Sequence, residues 1–290
     1  MSTRILRLAL LALLVSLSLA TFPTGTVAAK PHAPALASGN GTMQEMGFDT
    51  CALPSTSDMQ NFWNGTPLWW YNVYIGGENY GCRPATVTAS WLNTVKNEGW
   101  NFLFNWVGLQ APCSTQNVST FSTNTTTAYQ QGASDAASAY SALLNLGLTN
   151  NAQGTSVVFD LDSAPDQNNP TCLAATNAFI QGWVDTLHVQ PAQVAGVYGA
   201  VCGSNLVALA SLKTPPDFIW GADWNGNPST SDLYAGGCGV PSGDWVNHQR
   251  FKQYQGDHWQ TYGNSKLMID SDCANGPTSP NGAGTNNSCL

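Results

Sequence analysis

The chain has 290 residues, of which 43% are hydrophobic and only 9% are charged, and its formal net charge is -8 at pH 7. The apolar content excludes a disordered chain, and the scarcity of charged residues excludes a coiled coil or a helical repeat protein. The negative charge repels phosphate and no cluster of Lys or Arg offsets it, so we expect no nucleic-acid partner.

The first 29 residues have the pattern of a secretory signal peptide. Arg4 and Arg7 precede an apolar run at residues 8–20, and a small-residue stretch ends at Ala29. The apolar run has 13 residues, whereas a spanning helix needs about 20, so cleavage is favoured over an uncleaved membrane anchor. We predict a secreted, extracellular monomer that is cleaved near Ala29 and makes no membrane contact afterwards.

The remaining chain is predicted to form one domain between two flexible ends. Residues 30–45 and 274–290 are rich in small residues, Pro and Asn, which is typical of a lead-in and a tail. Between them, eight short apolar runs have the length and composition of buried strands. They cover residues 46–51, 69–76, 102–108, 156–162, 194–199, 218–224, 250–255 and 267–272.

Helix-like segments separate several of these runs, at residues 87–98, 127–146, 172–187 and 204–212. The alternation indicates the α/β class with parallel strands, and eight units indicate a single (β/α)8 TIM-like barrel. The helices of the last units are weak, which predicts an irregular barrel. An open doubly wound sheet is the alternative, although no dinucleotide or phosphate-loop motif follows a strand.

The eight cysteines all lie after the signal segment, and no two form a C-x-x-C pair. In an exported chain an even, dispersed set predicts disulfides that staple loops around the barrel mouth. With only four histidines in the chain, we expect neither a metal nor a catalytic thiol. Cys172 and Cys202 follow neighbouring predicted strands and are our favoured pair.

Six of the 17 acidic residues lie at the ends of the predicted strands: Asp49, Asp160, Asp162, Asp223, Asp270 and Asp272. Residues i and i+2 share one face of a strand, and the carboxyl ends of barrel strands share one rim. We therefore expect the carboxyl groups to meet in one bowl, where repulsion and burial separate their pKa values. The alternatives are helix capping and loop fixing, or Ca²⁺ binding by Asp160, Asp162 and Asp166, although the spacing lacks an EF-hand pattern.

Aromatic residues accompany these acids, among them Tyr74, Trp106, Tyr198 and Trp224. Rings at the rim would offer flat faces suited to sugar rings, and core packing is the alternative for each of them. No serine-nucleophile elbow and no H-E-x-x-H motif is present, and the sequence indicates no cofactor.

The order of several short motifs resembles a bacterial glycoside-hydrolase-like family of unknown function, which is itself similar to the family 25 lysozymes. The motifs are Gly47-Phe48-Asp49, Tyr74-Ile75-Gly76, Phe159-Asp160-Leu161-Asp162, Gly196-Val197-Tyr198-Gly199, Gln253-Tyr254 and Ile269-Asp270. The resemblance implies a barrel that acts on a polysaccharide such as peptidoglycan, with Asp49 matching the first-strand aspartate of the lysozymes. Asp160 and Asp162 match their fourth-strand acidic pair.

On this basis we expect an exported glycoside hydrolase with Asp49, Asp160 and Asp162 as catalytic residues. Asp162 would be the general acid, kept protonated by the charge of Asp160. The expected substrate-binding residues are Tyr74, Trp106, Tyr198, Asp223, Trp224, Gln253 and Asp270. The lysozymes carry Glu where this chain has the shorter Asp162, which favours the alternative of a non-catalytic carbohydrate- or envelope-binding protein.

Overall fold

The computed structural model describes residues 41–82, 86–162, 168–201, 206–235, 238–280 and 288–289. The predicted signal segment, Asp166 and Cys202 lie outside these residues. The strands are β1 (Gly41–Met43), β2 (Met46–Asp49), β3 (Trp70–Gly76), β4 (Asn101–Trp106), β5 (Ser156–Asp160), β6 (Val194–Ala200), β7 (Phe218–Ala222), β8 (Tyr234–Ala235), β9 (Cys238–Gly239), β10 (Arg250–Tyr262) and β11 (Ser265–Thr278).

Eight of these strands close into a barrel, in the order β2-β3-β4-β5-β6-β7-β10-β11 and back to β2. The predicted TIM-like barrel, irregular in its last units, is thereby confirmed. Strands β2 to β7 and β10 run parallel, but β11 is antiparallel to both β10 and β2. The expectation of an all-parallel barrel was wrong for this strand, because two residues join β10 to β11 and so short a turn connects only antiparallel strands.

The β10–β11 hairpin contains two register irregularities, between Gln253 and Gln255 and between Gln255 and His258. Each places one extra residue in β10 relative to β11, which is the arrangement of a β-bulge. The outer half of the hairpin, beyond these bulges, projects past the barrel and packs on the helix that follows β2. In that contact, the rings of Phe62 and Tyr262 lie 5.1 Å apart between centroids.

Helices cover the outside of the barrel: α1 (Thr56–Gly65), α2 (Ala89–Glu98), α3 (Thr125–Asn145), α4 (Pro170–Leu187) and the short α5 (Leu206–Leu209). The last four match the predicted helical segments to within a few residues. The sequence interpretation missed α1, although a capping box of Ser55 and Asp58 marks its start.

The core has two parts because barrel side chains alternate between inside and outside. Residues that face the helices form the larger cluster, for example Phe159, which contacts Phe179 and Trp183 of α4. A smaller cluster fills the barrel itself and includes Trp70 and Trp220, whose ring centroids lie 6.3 Å apart. Polar side chains above this inner aromatic layer can therefore reach the barrel mouth.

The strands of the domain extend beyond residues 46–273 at both ends. Strand β1 pairs with the last residues of β11, so Gly41 lies opposite Thr278. Below them, the backbone of Ser279 exchanges hydrogen bonds with that of Phe102. Within the described residues, no helix is long and apolar enough to cross a membrane.

Three disulfides join described cysteines: Cys51–Cys82, Cys113–Cys172 and Cys273–Cys289. The predicted Cys172–Cys202 pair is wrong, because Cys172 begins α4 next to the loop after β4 and bonds to Cys113 in that loop. No described cysteine is free. The Cys51–Cys82 bond links the loops after β2 and β3, as expected for a staple at the barrel mouth.

Candidate active site

The carboxyl ends of the parallel strands surround an open cleft made of three adjoining depressions. Their volumes are about 360, 310 and 240 Å³. Neighbouring depressions share lining residues, since Asp162 borders the first two and Tyr74 borders the last two. Nine of the ten residues singled out in the sequence line this cleft: Asp49, Tyr74, Asp160, Asp162, Tyr198, Asp223, Trp224, Gln253 and Asp270.

Trp106 is the exception, because it lines none of the three depressions. It ends β4 on the face opposite Asn105 and packs against Gly76. A side chain at Gly76 would approach the Trp106 ring to 3.0 Å. The position therefore gives Trp106 a packing contact beside the cleft.

Gln253 is the centre of the hydrogen-bond network in the cleft. Its Oε1 accepts from the Tyr198 hydroxyl at 2.9 Å and from Trp224 Nε1 at 2.8 Å. Its Nε2 donates to Asp49 Oδ2 at 2.8 Å and to Asp270 Oδ2 at 3.1 Å. The amide thus uses two acceptor and two donor sites, which fixes its orientation and holds two carboxylates and two rings together.

Asp49 is the last residue of β2 and is buried beneath the cleft surface. Its Oδ1 accepts from the Tyr74 hydroxyl at 2.9 Å, so both of its oxygens have neutral donors. Burial and the neighbouring charge of Asp270 raise the pKa of Asp49 to about 7, and the hydrogen bonds from Gln253 and Tyr74 oppose that rise. Asp49 therefore changes charge near neutral pH.

Asp270 and Asp272 reach this network from the middle of β11 rather than from a strand end. Because β11 is antiparallel, Asp270 pairs with Asp49, and Asp272 lies one step deeper opposite Gly47. The second oxygen of Asp270 accepts a backbone N–H from Asp257 in the bulged segment of β10. The sequence correctly indicated that both acids share a face, but not that one lies beneath the other.

Asp160 and Asp162 share one face of the chain at β5 but differ in exposure. Asp160 is 6% exposed and its Oδ2 accepts from Asn105 Nδ2 at 3.1 Å, whereas Asp162 is exposed at the cleft. Burial, together with the charge of Asp162, raises the pKa of Asp160 to about 8. We expected an ionised Asp160 that keeps its neighbour protonated; burial instead makes Asp160 the carboxyl group that holds a proton at neutral pH.

Asp223 follows β7 and forms a buried ion pair with Lys252, at 3.3 Å. Lys252 Nζ also donates to Asn225 Oδ1 at 3.0 Å and to the backbone oxygen of Asp232 at 2.6 Å. These contacts hold the loop that carries Trp224, whose ring is 63% exposed beside the cleft. Asp223 lines the cleft, but its carboxylate is already paired with Lys252.

Three residues of this site were not singled out from the sequence. Asn105 and Gln110 donate to Asp160, the first to its carboxylate and the second to its backbone oxygen at 2.8 Å. Lys252 anchors the loop after β7. Asn105 lies two residues beyond the inward-facing Leu103 on β4, so strand alternation could have placed it inside the barrel. The partners of Gln110 and Lys252 are far apart in sequence and left no local signal.

The fold and the cleft together define a glycoside-hydrolase-like barrel. Residues 62–274 match the family described as Rv2525c-like, glycoside hydrolase-like domain, and the chain belongs to this family. The resemblance found in the sequence is thus confirmed. None of the curated proteins compared with the chain matches it significantly.

Among solved structures, an uncharacterized Bacillus stearothermophilus protein is similar in fold. It is 14% identical, the match covers 79% of this chain and 95% of that one, and the TM-score is 0.51. The Tat-secreted Mycobacterium tuberculosis protein Rv2525c, in complex with L-tartrate, is 11% identical over 80% and 95% of the two chains, with a TM-score of 0.48. A bacterial lysozyme from Streptomyces coelicolor is 14% identical over 81% and 94%, with a TM-score of 0.47.

Proposed function

We propose that the protein is an exported glycoside hydrolase that cleaves a cell-wall or other structural polysaccharide by carboxylate acid/base chemistry. One observation carries this proposal: Asp49, Asp160 and Asp162 border the same open, aromatic-lined cleft in a chain of a glycoside-hydrolase-like family. Glycoside hydrolysis needs a carboxylic acid beside the leaving oxygen and a second carboxylate near the developing oxocarbenium ion.

The three carboxyl groups differ in solvent exposure, and this difference indicates a different catalytic role for each of them. A general acid must touch the glycosidic oxygen, and Asp162 is exposed at the cleft, whereas Asp160 and Asp49 are buried in its wall. We therefore assign proton donation to Asp162. Asp160 holds a proton up to about pH 8, so it would supply the proton that Asp162 passes to the leaving oxygen. Asp49, ionised above about pH 7, would stabilise positive charge on the sugar.

The aromatic residues would bind the sugar rings. Trp224 presents its exposed ring at the depression it shares with Asp162 and Tyr198. Its Nε1 is held by Gln253, so the ring is fixed before a ligand arrives and little side-chain entropy is lost on binding. A polysaccharide lying along the cleft would then pass from Trp224 over the carboxyl groups.

Export is supported by the disulfides Cys51–Cys82 and Cys113–Cys172, which persist in oxidising compartments, and by the signal-like pattern of residues 1–29. The second candidate function is carbohydrate binding without hydrolysis. It is favoured by Asp162, which is one methylene shorter than the Glu of the lysozymes and reaches less far into the cleft.

The test is to incubate the purified protein with peptidoglycan, chitin and glucans between about pH 5 and 8, and to measure released reducing ends and binding. Asp185→Asn serves as a matched control, because Asp185 lies on the outer helix α4, where an Asn can accept from Gln181 with its oxygen and donate to the Tyr129 hydroxyl with its amide nitrogen. Hydrolysis by the parent and this control, but not by Asp162→Asn, is expected. Binding without release of sugar would establish the second candidate instead.

A further inference from the structure

One buried acid in the barrel, Asp272, has no role in the mechanism proposed above. It lies on the same face of β11 as Asp270 and is fully buried. Its register partner on β2 is Gly47. A side chain at Gly47 would approach the Trp70 ring to 2.3 Å, so the absence of a side chain there leaves room for that ring.

No positively charged side chain in the described part of the chain acts on Asp272. Its Oδ1 accepts from Trp220 Nε1 at 3.2 Å, and Trp220 belongs to the inner aromatic layer of the barrel. The titratable groups that act on Asp272 from the neighbouring strands are Asp49, Asp270, Tyr198 and Tyr254. An ionised carboxylate in this place would lie in an apolar site beside two other acids, which is strongly unfavourable.

Asp272 and Asp49 are nevertheless diagonal neighbours on adjacent strands, because Asp272 pairs with Gly47 and Asp49 pairs with Asp270, and their carboxyl groups interact with each other. Two carboxylates repel each other, so this contact requires a proton between them. Among the described residues, no group of three acidic, His or Cys side chains is arranged to hold a metal ion in its place.

The hydrogen-bond partners indicate which of the two acids carries the proton. Both oxygens of Asp49 already accept hydrogen bonds from Tyr74 and Gln253, as a carboxylate does. On Asp272, Oδ1 accepts from Trp220, while Oδ2 has no N–H or O–H donor in the described part of the chain. Oδ2 is therefore the oxygen that can carry a hydrogen and donate it.

We propose that Asp272 is a positioning residue that stays protonated and donates a hydrogen bond from Oδ2 to Asp49, so that Asp49 is the member of this pair that carries the negative charge. Burial and the charges of Asp49 and Asp270 raise the pKa of Asp272 well above its ordinary value. The two acids thus titrate as a pair that keeps one proton when Asp49 ionises. The catalytic meaning of this pair depends on the proposed function, but the protonation state does not.

The first test is infrared spectroscopy of the full-length parent protein at about pH 9. This pH lies above the pKa of about 7 for Asp49 and of about 8 for Asp160. We expect the carbonyl band of a protonated carboxyl group to persist there, to vanish in Asp272→Asn, and to remain in Asp160→Asn. A parent spectrum without this band, or a band that vanishes in Asp49→Asn but remains in Asp272→Asn, would overturn the proposal.

The second test compares two replacements of Asp272 by following the Asp49 carboxyl carbon in an NMR pH titration. Asp272→Asn keeps a donor toward Asp49 and an acceptor for Trp220, so the Asp49 midpoint should move by less than about half a pH unit. Asp272→Leu has no donor, and loss of a hydrogen bond to a charged group should raise that midpoint by about 1–2 pH units. If Asp272→Asn lowers the midpoint by more than about one unit instead, Asp272 was charged and the proposal is wrong.

Both readouts work without substrate, so they separate this proposal from the assignment of hydrolytic activity. If the protein hydrolyses a polysaccharide, the acidic limb of its pH–activity profile should follow the Asp49 midpoint in each variant. A retained infrared band in a protein that releases no sugar would uphold the Asp272 proposal and defeat the proposed enzyme.

Discussion

The two acidic walls of the cleft differ in how completely their oxygens are held. The first wall, formed by β10, β11 and β2, contains Gln253, Asp270 and Asp49, and each oxygen of these two acids accepts a hydrogen bond. The second wall, formed by β4 and β5, contains Asn105 and Asp160. Each of these two side chains has an Oδ1 atom without a donor in the described part of the chain.

This difference indicates that the two walls have different chemical functions. A carboxylate held by fixed donors is preorganised and can stabilise charge without moving. A carboxyl group with an unused oxygen can still exchange hydrogen bonds with a ligand or a water molecule. The first wall is thus suited to electrostatic stabilisation and the second to proton transfer.

The largest effect is expected in the second wall, from Asp162→Asn. An amide matches the carboxyl group in shape but cannot donate a proton to a leaving oxygen, so kcat should fall by about 10²–10⁴-fold while the polysaccharide still binds. Steady-state kinetics with the parent, the variant and Asp185→Asn would measure this. An Asp162→Asn protein as fast as the parent would show that another group is the acid.

A smaller effect, on stability, should depend on pH and involve both walls. Asp49 and Asp160 have raised pKa values in the folded protein, about 7 and about 8. The folded state therefore holds protons that the unfolded state has already released above about pH 4, and the free energy of unfolding should fall as pH rises from there to about 8. Each group contributes at most about 1.4 kcal/mol per pH unit.

Chemical denaturation at several pH values would measure this slope, and Asp160→Asn should remove the contribution of one group. Asp185→Asn should leave the slope nearly as in the parent, because Asp185 makes only the smallest contribution to the raised pKa of His188. A parent protein that gains stability between pH 5 and 8 would contradict the assignment of buried protons to these walls. Activity is expected to change in the opposite direction over the same range, because the ionisation of Asp49 costs stability but supplies the charge.

Next in size is the replacement of the amide in the first wall. Gln253→Leu removes the donor to Asp49 and Asp270 and the acceptor for Tyr198 and Trp224, which should destabilise the fold by about 1–3 kcal/mol. Gln255→Leu is the matched control, since Gln255 lies on the same strand but is exposed. Equal melting temperatures for the two variants would mean that the network around Gln253 contributes little.

The smallest effect concerns the rim rather than either wall. Trp224→Ala should weaken polysaccharide binding by about tenfold, or about 1.4 kcal/mol, and leave the fold unchanged. Trp259→Ala is the control, because Trp259 is 57% exposed on the hairpin but does not line the cleft depressions. Calorimetry with both variants would separate a binding site in the cleft from general affinity of exposed rings.

Much of this arrangement could be predicted from local pattern. The runs that became β2 to β7 have the composition of buried strands, and Asp49 and Asp160 end two of them. Period-two alternation also placed Asp160 and Asp162 on one face. The alternation could not predict how deeply each of the two side chains is buried. Two residues along a strand are enough to separate a side chain inside the barrel from one at its mouth.

The direction of β11 and the pairing of the cysteines could not be predicted from the local sequence pattern. The alternation of inward- and outward-facing residues is the same in a parallel and an antiparallel strand. Only the two-residue connection after Tyr262 indicates that β11 is antiparallel. The choice of Cys113 for Cys172 depends on where the loop after β4 lies against the start of α4, which is a tertiary contact. The ion pair of Lys252 with Asp223 is likewise formed between strands that the chain order separates.

The two bulges in β10 have a consequence for insertions and deletions in this hairpin. A single extra residue turns every later side chain to the other face of a strand, and a second one restores the original facing. Trp259 therefore still faces the same side as Gln253, and Tyr262 still faces α1. Adding or removing one residue here would exchange the two faces of the outer hairpin, so engineered changes of its length should be made in steps of two.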